Sequence, residues 1–290
     1  SAGSSRRRGS TWIASGYRPT ERPAAVRLGL RCAETGTDAI LKATALPASV
    51  MTETPYLEDP YRRTIEATVE RTLDDRVVLD RTICYPEGGG QPADHGTLTL
   101  LDGDDATADG TAWSIVDVQK QDTIYHHLEP SGDARREPGR ADADGADAAR
   151  GDADQPDHPA EGATVRIDLD WERRRGHMRH HTAQHLLSRV LIDAFDAGTE
   201  GNQTYADGAR IDCERDRFDD ADLDLIETRV NELIDDERPV EWYELDRETA
   251  EERLDPERTR IELLPDSITE LRIVEIEDFD RTACAGTHVA

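Results

Sequence analysis

Two pairs of metal-binding residue types stand four positions apart in this chain: His181 with His185, and Cys284 with His288. On a helix, side chains at i and i+4 lie one above the other, roughly 5–6 Å apart at Cβ, which is a chelating arrangement. Imidazole nitrogen and thiolate sulfur are ligands that suit Zn²⁺, and two such pairs from distant parts of the chain complete a His₃Cys set. An ion held by all four is coordinatively closed unless substrate adds as a fifth ligand or displaces one, so structural and catalytic roles both stay open. A third feature is Tyr85-Pro-Glu-Gly-Gly-Gly-Gln-Pro-Ala-Asp94. Its three glycines allow positive φ and the close approach of another backbone, and taken alone the run reads as a turn.

These residues need elements to hold them. From Trp171 to about Ala197, the residues Ala183, Leu186, Leu187, Val190, Leu191 and Ala194 recur at helical spacing, which predicts a long helix with the histidine pair roughly opposite this stripe. A second helix is predicted from about Asp220 to Asp235 on Leu223, Ile226, Val230, Leu233 and Ile234, and a short one near Glu248 to Leu254. Strands are predicted at Thr64–Glu70, Val77–Leu79, Gly96–Leu100, Trp113–Val118, Thr123–Tyr125 and Thr164–Leu169, then at Val240–Tyr243, Thr259–Leu263 and Leu271–Ile276. The fold class is therefore α+β, a small β-barrel or sandwich followed by an α/β half.

The chain has 290 residues with 63 acidic against 35 basic side chains and a formal net charge of −28. Only Lys42 and Lys120 are lysine. At about 1 M salt the Debye length shrinks to ~3 Å and the self-repulsion of such a surface is screened, so the composition reads as adaptation to a salty cytoplasm. The four cysteines are widely spaced with no CxxC pair, which does not suit a secreted disulfide framework and predicts a reducing compartment. No apolar run reaches the roughly 18 residues of a membrane helix. Arg6, Arg7 and Arg8 lack the apolar segment that an export signal needs.

Residues 1–50 carry eight basic and three acidic side chains, unlike the rest of the chain, and Met51 opens the acid-rich sequence. We expect 1–50 to be a non-native or disordered leader, 51–169 to form the barrel domain with an acidic disordered insertion at 131–162, and 170–290 to form the domain that carries the metal-ligand pairs.

Together, Asp170-Trp-Glu-Arg-Arg-Arg-Gly-His-Met-Arg-His-His-Thr-Ala-Gln-His-Leu-Leu187, the glycine loop and the terminal Cys284-Ala-Gly-Thr-His288 resemble the stand-alone alanyl-tRNA editing proteins called AlaX, and the editing domains of alanyl- and threonyl-tRNA synthetases. The resemblance covers about Tyr56 to Ala290, and the loop points to the longer AlaX type. It implies an N-terminal glycine-rich β-barrel followed by an α/β editing domain. It also implies hydrolysis of the ester in tRNA(Ala) mischarged with serine, with glycine as a further possible substrate. The zinc ligands carried over are His181, His185, Cys284 and His288.

Rejecting alanine while accepting serine means reading one hydroxyl, so a polar side chain is needed near the metal. In the family this residue follows the second zinc histidine by about seventeen positions, which implies Asn202 or, with a one-residue shift, Gln203, the one favoured here. Thr182 is a further candidate. For tRNA contact we assign Arg173, Arg174, Arg175 and Arg179, whose planar guanidiniums pair well with phosphate, together with Gly88, Gly89, Gly90 and Gln91 of the loop. No side chain is assigned as general base. The family usually continues past the last histidine, so a chain ending two residues after His288 is expected to be C-terminally truncated. The alternatives are a zinc-stabilised tRNA-binding module without hydrolysis, and a fragment of an alanyl-tRNA synthetase.

Overall fold

A computed structural model describes residues 29–31, 51–101, 108–131, 158–256, 258–259 and 261–290. The expectations for 1–50 and for the insertion lie mostly outside these residues. The exceptions are strand β1 (Gly29–Arg31) and the flanks of the insertion. The chain divides into two compact units, one comprising 46–86 with 93–170, the other 1–45 with 87–92 and 171–290.

The first unit is a closed barrel of β2 (Thr64–Thr72), β3 (Arg76–Leu79), β4 (Gly96–Leu101), β5 (Ala108–Lys120), β6 (Ile124–Pro130) and β7 (Thr164–Leu169), in the order β2-β3-β6-β5-β4-β7. Every pair is antiparallel, and β7 closes the ring by pairing with both β2 and β4. Alternation decides what goes inside: Ala67 and Val69, Val77 and Leu79, Trp113 and Ile115, and Val165 and Ile167 form one core. The predicted strands are all present here, several of them longer than the sequence pattern indicates.

In the second unit, α1 (Trp171–Phe195) packs on α2 (Asp220–Asp235) and on the hairpin of β8 (Thr199–Tyr205) and β9 (Gly208–Cys213), with β1 parallel to β9. A second sheet joins β10 (Val240–Asp246), β11 (Glu270–Ile276) and β12 (Asp280–Ala283), with α3 (Arg247–Arg253) beside it. The shared core runs through Leu187 and Leu191 of α1, Ile211 of β9, Val230 of α2 and Val274 of β11. Helix α2 begins where its capping box sets it. Asp219 accepts from the Asp222 N–H at 2.9 Å, and the Asp222 side chain accepts from the Asp219 N–H at 3.1 Å.

Two sequence expectations change. Ala194, placed on the apolar stripe of α1, is exposed. Thr259–Leu263 is not a strand, because Ile261–Leu263 turns as a 3₁₀ helix. Arg247 accounts for this by donating to the carbonyls of Ile261, Leu264, Pro265 and Ile268, which gathers local acceptors into a knot that an extended strand would spread apart. Strands β8, β9 and β12 escape the sequence pattern. Among the described residues, no helix is long and apolar enough to cross a membrane.

Candidate metal centre

Helix α1 carries His181 and His185 on a stripe, Arg174-His177-Met178-His181-His185, that is buried along its whole length. The helix is therefore covered on two sides, one of them the apolar core, and at His181, Thr182 and His185 the other meets the segment that follows β12. That segment brings in Cys284 and His288, and the four candidate ligand atoms all lie within 4.8 Å of one another. The Cys284 Sγ is 3.6 Å from His181 Nε2 and 3.4 Å from His288 Nε2. A Cβ on Gly286 would overlap the His181 ring, so glycine is needed for this approach. Arg272 fixes the same segment by donating to the carbonyls of Cys284 at 2.8 Å and Gly286 at 3.0 Å, with its guanidinium over the Trp242 ring.

The outer nitrogens of the histidines face acceptors. The Thr182 hydroxyl donates to the Met178 carbonyl, so at 3.2 Å from His288 Nδ1 it acts as the acceptor, as it does for the Val289 N–H. Asp280 Oδ2 lies 3.8 Å from His185 Nδ1. The His288 ring thus carries its proton on Nδ1 and leaves Nε2 as a lone pair, while His185 Nδ1 faces the Asp280 carboxylate at a distance beyond a hydrogen bond. Thr182, a candidate reader of a substrate hydroxyl, places its oxygen against His288 Nδ1 and the Val289 N–H.

Burial pushes His181 down to about 3, with Arg272 adding to the effect. Burial first, then Arg258 for His185 and His181 for His288, holds the other two well below the ordinary histidine range. All three imidazoles stay neutral, the form that binds a cation. Burial also raises the Cys284 thiol, against the pull of the Gly286 N–H, so a thiolate here needs a positive partner that an ion would supply. The donor set, its burial and the ring orientations fit a metal ion.

The glycine loop joins this unit. Gly88 and Gln91 exchange backbone hydrogen bonds at 3.0 and 2.9 Å, and the turn between them places Gly89 at φ 57° and Gly90 at φ 79°, the signs that a type I′ turn demands. The Gly90 carbonyl accepts from both the backbone N–H (2.7 Å) and the hydroxyl (3.1 Å) of Thr204, which fastens the loop to β8. Gln91 is completely buried. Its Oε1 is 3.0 Å from His181 Nδ1 and accepts from the Thr287 N–H at 3.1 Å, and its Nε2 donates to the Thr287 hydroxyl at 2.8 Å.

A bulge decides which residue of β8 faces α1. Thr199 pairs with Cys213, but Gly201 pairs with Asp212, so one extra residue enters β8 and the alternation shifts. Cross-strand partners share a face, which puts Asn202 with Ile211 on the α1 side and Gln203 with Arg210 on the other, although Asn202 itself is exposed and Gln203 half-buried. The Asn202 carboxamide lies against Gly90, whereas the Gln203 amide donates to the Thr204 carbonyl of its own strand. Of the arginines, Arg175 is exposed, Arg173 and Arg179 are half-buried, and Arg174 is fully buried on the histidine stripe. In the loop, Gly89 is exposed, and Gly88 and Gly90 are half-buried. Arg272, Asp280 and Arg258 carry no signal along the chain, where they are ordinary charged residues among many.

No family model matches the chain. Among curated proteins it is 38% identical over 240 residues to the alanyl-tRNA editing protein AlaX-M of Methanosarcina barkeri, covering 82% of this chain and 88% of that protein. It is 35% identical over 245 residues to AlaX-L of Pyrococcus horikoshii, covering 51% of that protein. It is 34% identical over 241 residues to the alanine–tRNA ligase of Pyrococcus abyssi, of which it spans 23%. The class the AlaX relatives define is the aminoacyl-tRNA deacylase, a hydrolase. Within that class the chain belongs to the AlaX family of alanyl-tRNA editing proteins.

Proposed function

We propose that this protein hydrolyses the aminoacyl ester of tRNA(Ala) mischarged with serine, acting in trans, with Zn²⁺ held by His181, His185, Cys284 and His288. The observation that carries the reading is the cluster itself, with four ligand atoms of the right chemistry brought within 4.8 Å in a buried site. A bound zinc ion supplies Lewis-acid polarisation and a fixed point for orienting the aminoacyl group. The protein's own residues do the rest. Thr182 holds the His288 imidazole in one orientation, and Asp280 sets a carboxylate behind His185. Asn202, rather than Gln203, reads the serine hydroxyl from the α1 face of β8. Exposed Arg175, with Arg173 and Arg179, takes phosphate at the acceptor end, and Gly89 offers the accessible backbone of the loop. Attack by water on the ester carbonyl releases the terminal ribose oxygen, a step that gains most from positioning. The reading assigns no side chain as general base. The acid-rich, lysine-poor surface supports a workplace in concentrated salt, and the free Cys84, Cys213 and Cys284 suit a reducing cytoplasm.

A second reading has one observation in its favour: four ligands close a tetrahedral ion, the pattern of structural zinc. The test is deacylation of seryl-, glycyl- and alanyl-tRNA(Ala) in high-salt buffer by the full chain, with zinc content measured and Cys284→Ala as control. Turnover of the seryl ester with alanyl-tRNA spared, abolished in a folded Cys284→Ala protein, bears out the enzyme. Stoichiometric zinc without hydrolysis would leave a binding module.

A further inference from the structure

The residue that ties the ligand set together comes from neither ligand pair. Gln91 reaches His181 on α1 and Thr287, the neighbour of His288, from a loop 90 residues before the one and 196 before the other. The orientation of its carboxamide is fixed by chemistry. The Thr287 backbone N–H is an obligate donor, so the atom it meets at 3.1 Å is the oxygen. The same oxygen lies 3.0 Å from His181 Nδ1. An oxygen there requires a proton on Nδ1, which leaves Nε2, the nitrogen nearest Cys284 Sγ, as a lone pair. The other end of the amide is used as well, since Nε2 donates to the Thr287 hydroxyl at 2.8 Å.

The glycine turn exists to deliver this side chain. Gly89 and Gly90 both take positive φ, and the Gly90 carbonyl is held by two donors from Thr204, so Gln91 leaves the turn at a fixed point beside α1. Its burial is complete, and both its oxygen and its nitrogen are engaged within the protein.

We propose that Gln91 is a positioning residue of the metal centre. It sets the His181 tautomer and clamps the Cys284–His288 segment, so that seating of the glycine turn is a condition for holding the ion. The inference rests on the zinc reading above and adds a residue that touches neither ion nor substrate. Outer-sphere partners of metal-bound histidines typically govern about 10- to 100-fold in metal affinity.

The experiment is chelator competition for Zn²⁺ on the 290-residue chain, comparing wild type with Gln91→Leu, Gln91→Glu and Thr287→Val. Gln91→Leu is expected to bind zinc about 10- to 100-fold more weakly. Gln91→Glu, which keeps an acceptor for His181, is expected to recover most of that loss. Thr287→Val spares the His181 contact and is expected to change affinity less than Gln91→Leu. Long-range ¹⁵N correlation spectra of the zinc-loaded wild type give a readout that needs no variant: His181 should show a slowly exchanging Nδ1–H and coordination through Nε2. Coordination through Nδ1 overturns the inference even if Gln91→Leu fails to fold. A wild type that takes up no zinc overturns the metal reading and this inference with it. Wild type and Gln91→Leu binding zinc equally tightly overturns this inference alone.

Discussion

The carboxylate of Asp280 takes both prongs of the Arg258 guanidinium, Nε to Oδ1 at 3.0 Å and Nη2 to Oδ2 at 2.9 Å, while Oδ2 also faces His185 Nδ1 at 3.8 Å. Both side chains are nearly sealed from water, at 10% and 1% exposed. Arg258→Ala leaves a buried carboxylate without its cation and is expected to cost about 3 kcal/mol, measured by urea denaturation. Asp280→Asn removes the charge behind His185 and is expected to weaken metal retention about tenfold in chelator competition.

Two glycines with the same backbone sign should behave differently. Gly90 sits at φ 79°, and a Cβ there would run into the Asn202 carboxamide, so Gly90→Ala is both strained and sterically blocked. Gly162 sits at φ 81° with open space around its would-be Cβ. Gly162→Ala is expected to cost only about 1 kcal/mol of backbone strain and to keep full deacylation. Gly90→Ala is expected to unseat the turn and lower the deacylation rate at least about tenfold, with the circular dichroism of the fold retained.

The faces of β8 make a kinetic prediction. Asn202→Ala is expected to lower kcat/KM for seryl-tRNA(Ala) by about 10- to 100-fold, the worth of one hydrogen bond to the substrate hydroxyl. Gln203→Ala, on the opposite face, is expected to stay within about twofold. Equal losses in the two variants would count against the bulge as the feature that selects the reader.

In the barrel, burial pushes His126 down to about 4, against a backbone hydrogen bond with Val77 and with help from the His127 charge. The native ring refuses a proton that the unfolded chain accepts, so its contribution is complete above about pH 6.5 and falls away as the pH drops toward 4. The loss is expected to reach up to about 3 kcal/mol. It is checked as the difference in unfolding free energy between wild type and His126→Gln from pH 7 to pH 4. A constant difference across that range would contradict it.

The chemistry of the site was legible because it is local. His181 and His185 are related by one helical turn, and Cys284 and His288 by the same spacing, so residue type and interval suffice to nominate the ligands. The limits of α2 were equally legible, since Asp219 and Asp222 form the capping box from neighbouring positions. The barrel strands announced themselves by alternation of β-branched residues, a period-two pattern that survives without knowledge of any partner strand.

Tertiary structure decided the rest, because the deciding contacts join residues that no periodicity connects. Arg174 reads as one of four surface arginines until its helical stripe is seen to be buried. Asn202 and Gln203 are indistinguishable by counting, and one extra residue in β8 reverses which of them faces α1. Gln91 belongs to a run that looks like a turn, and is one, yet its amide meets a cluster whose candidate ligands lie 90 or more residues away. Spacing along the chain fixes which groups can bind an ion. Which groups orient them depends on loop closure and strand register, and these are set by packing across the whole unit.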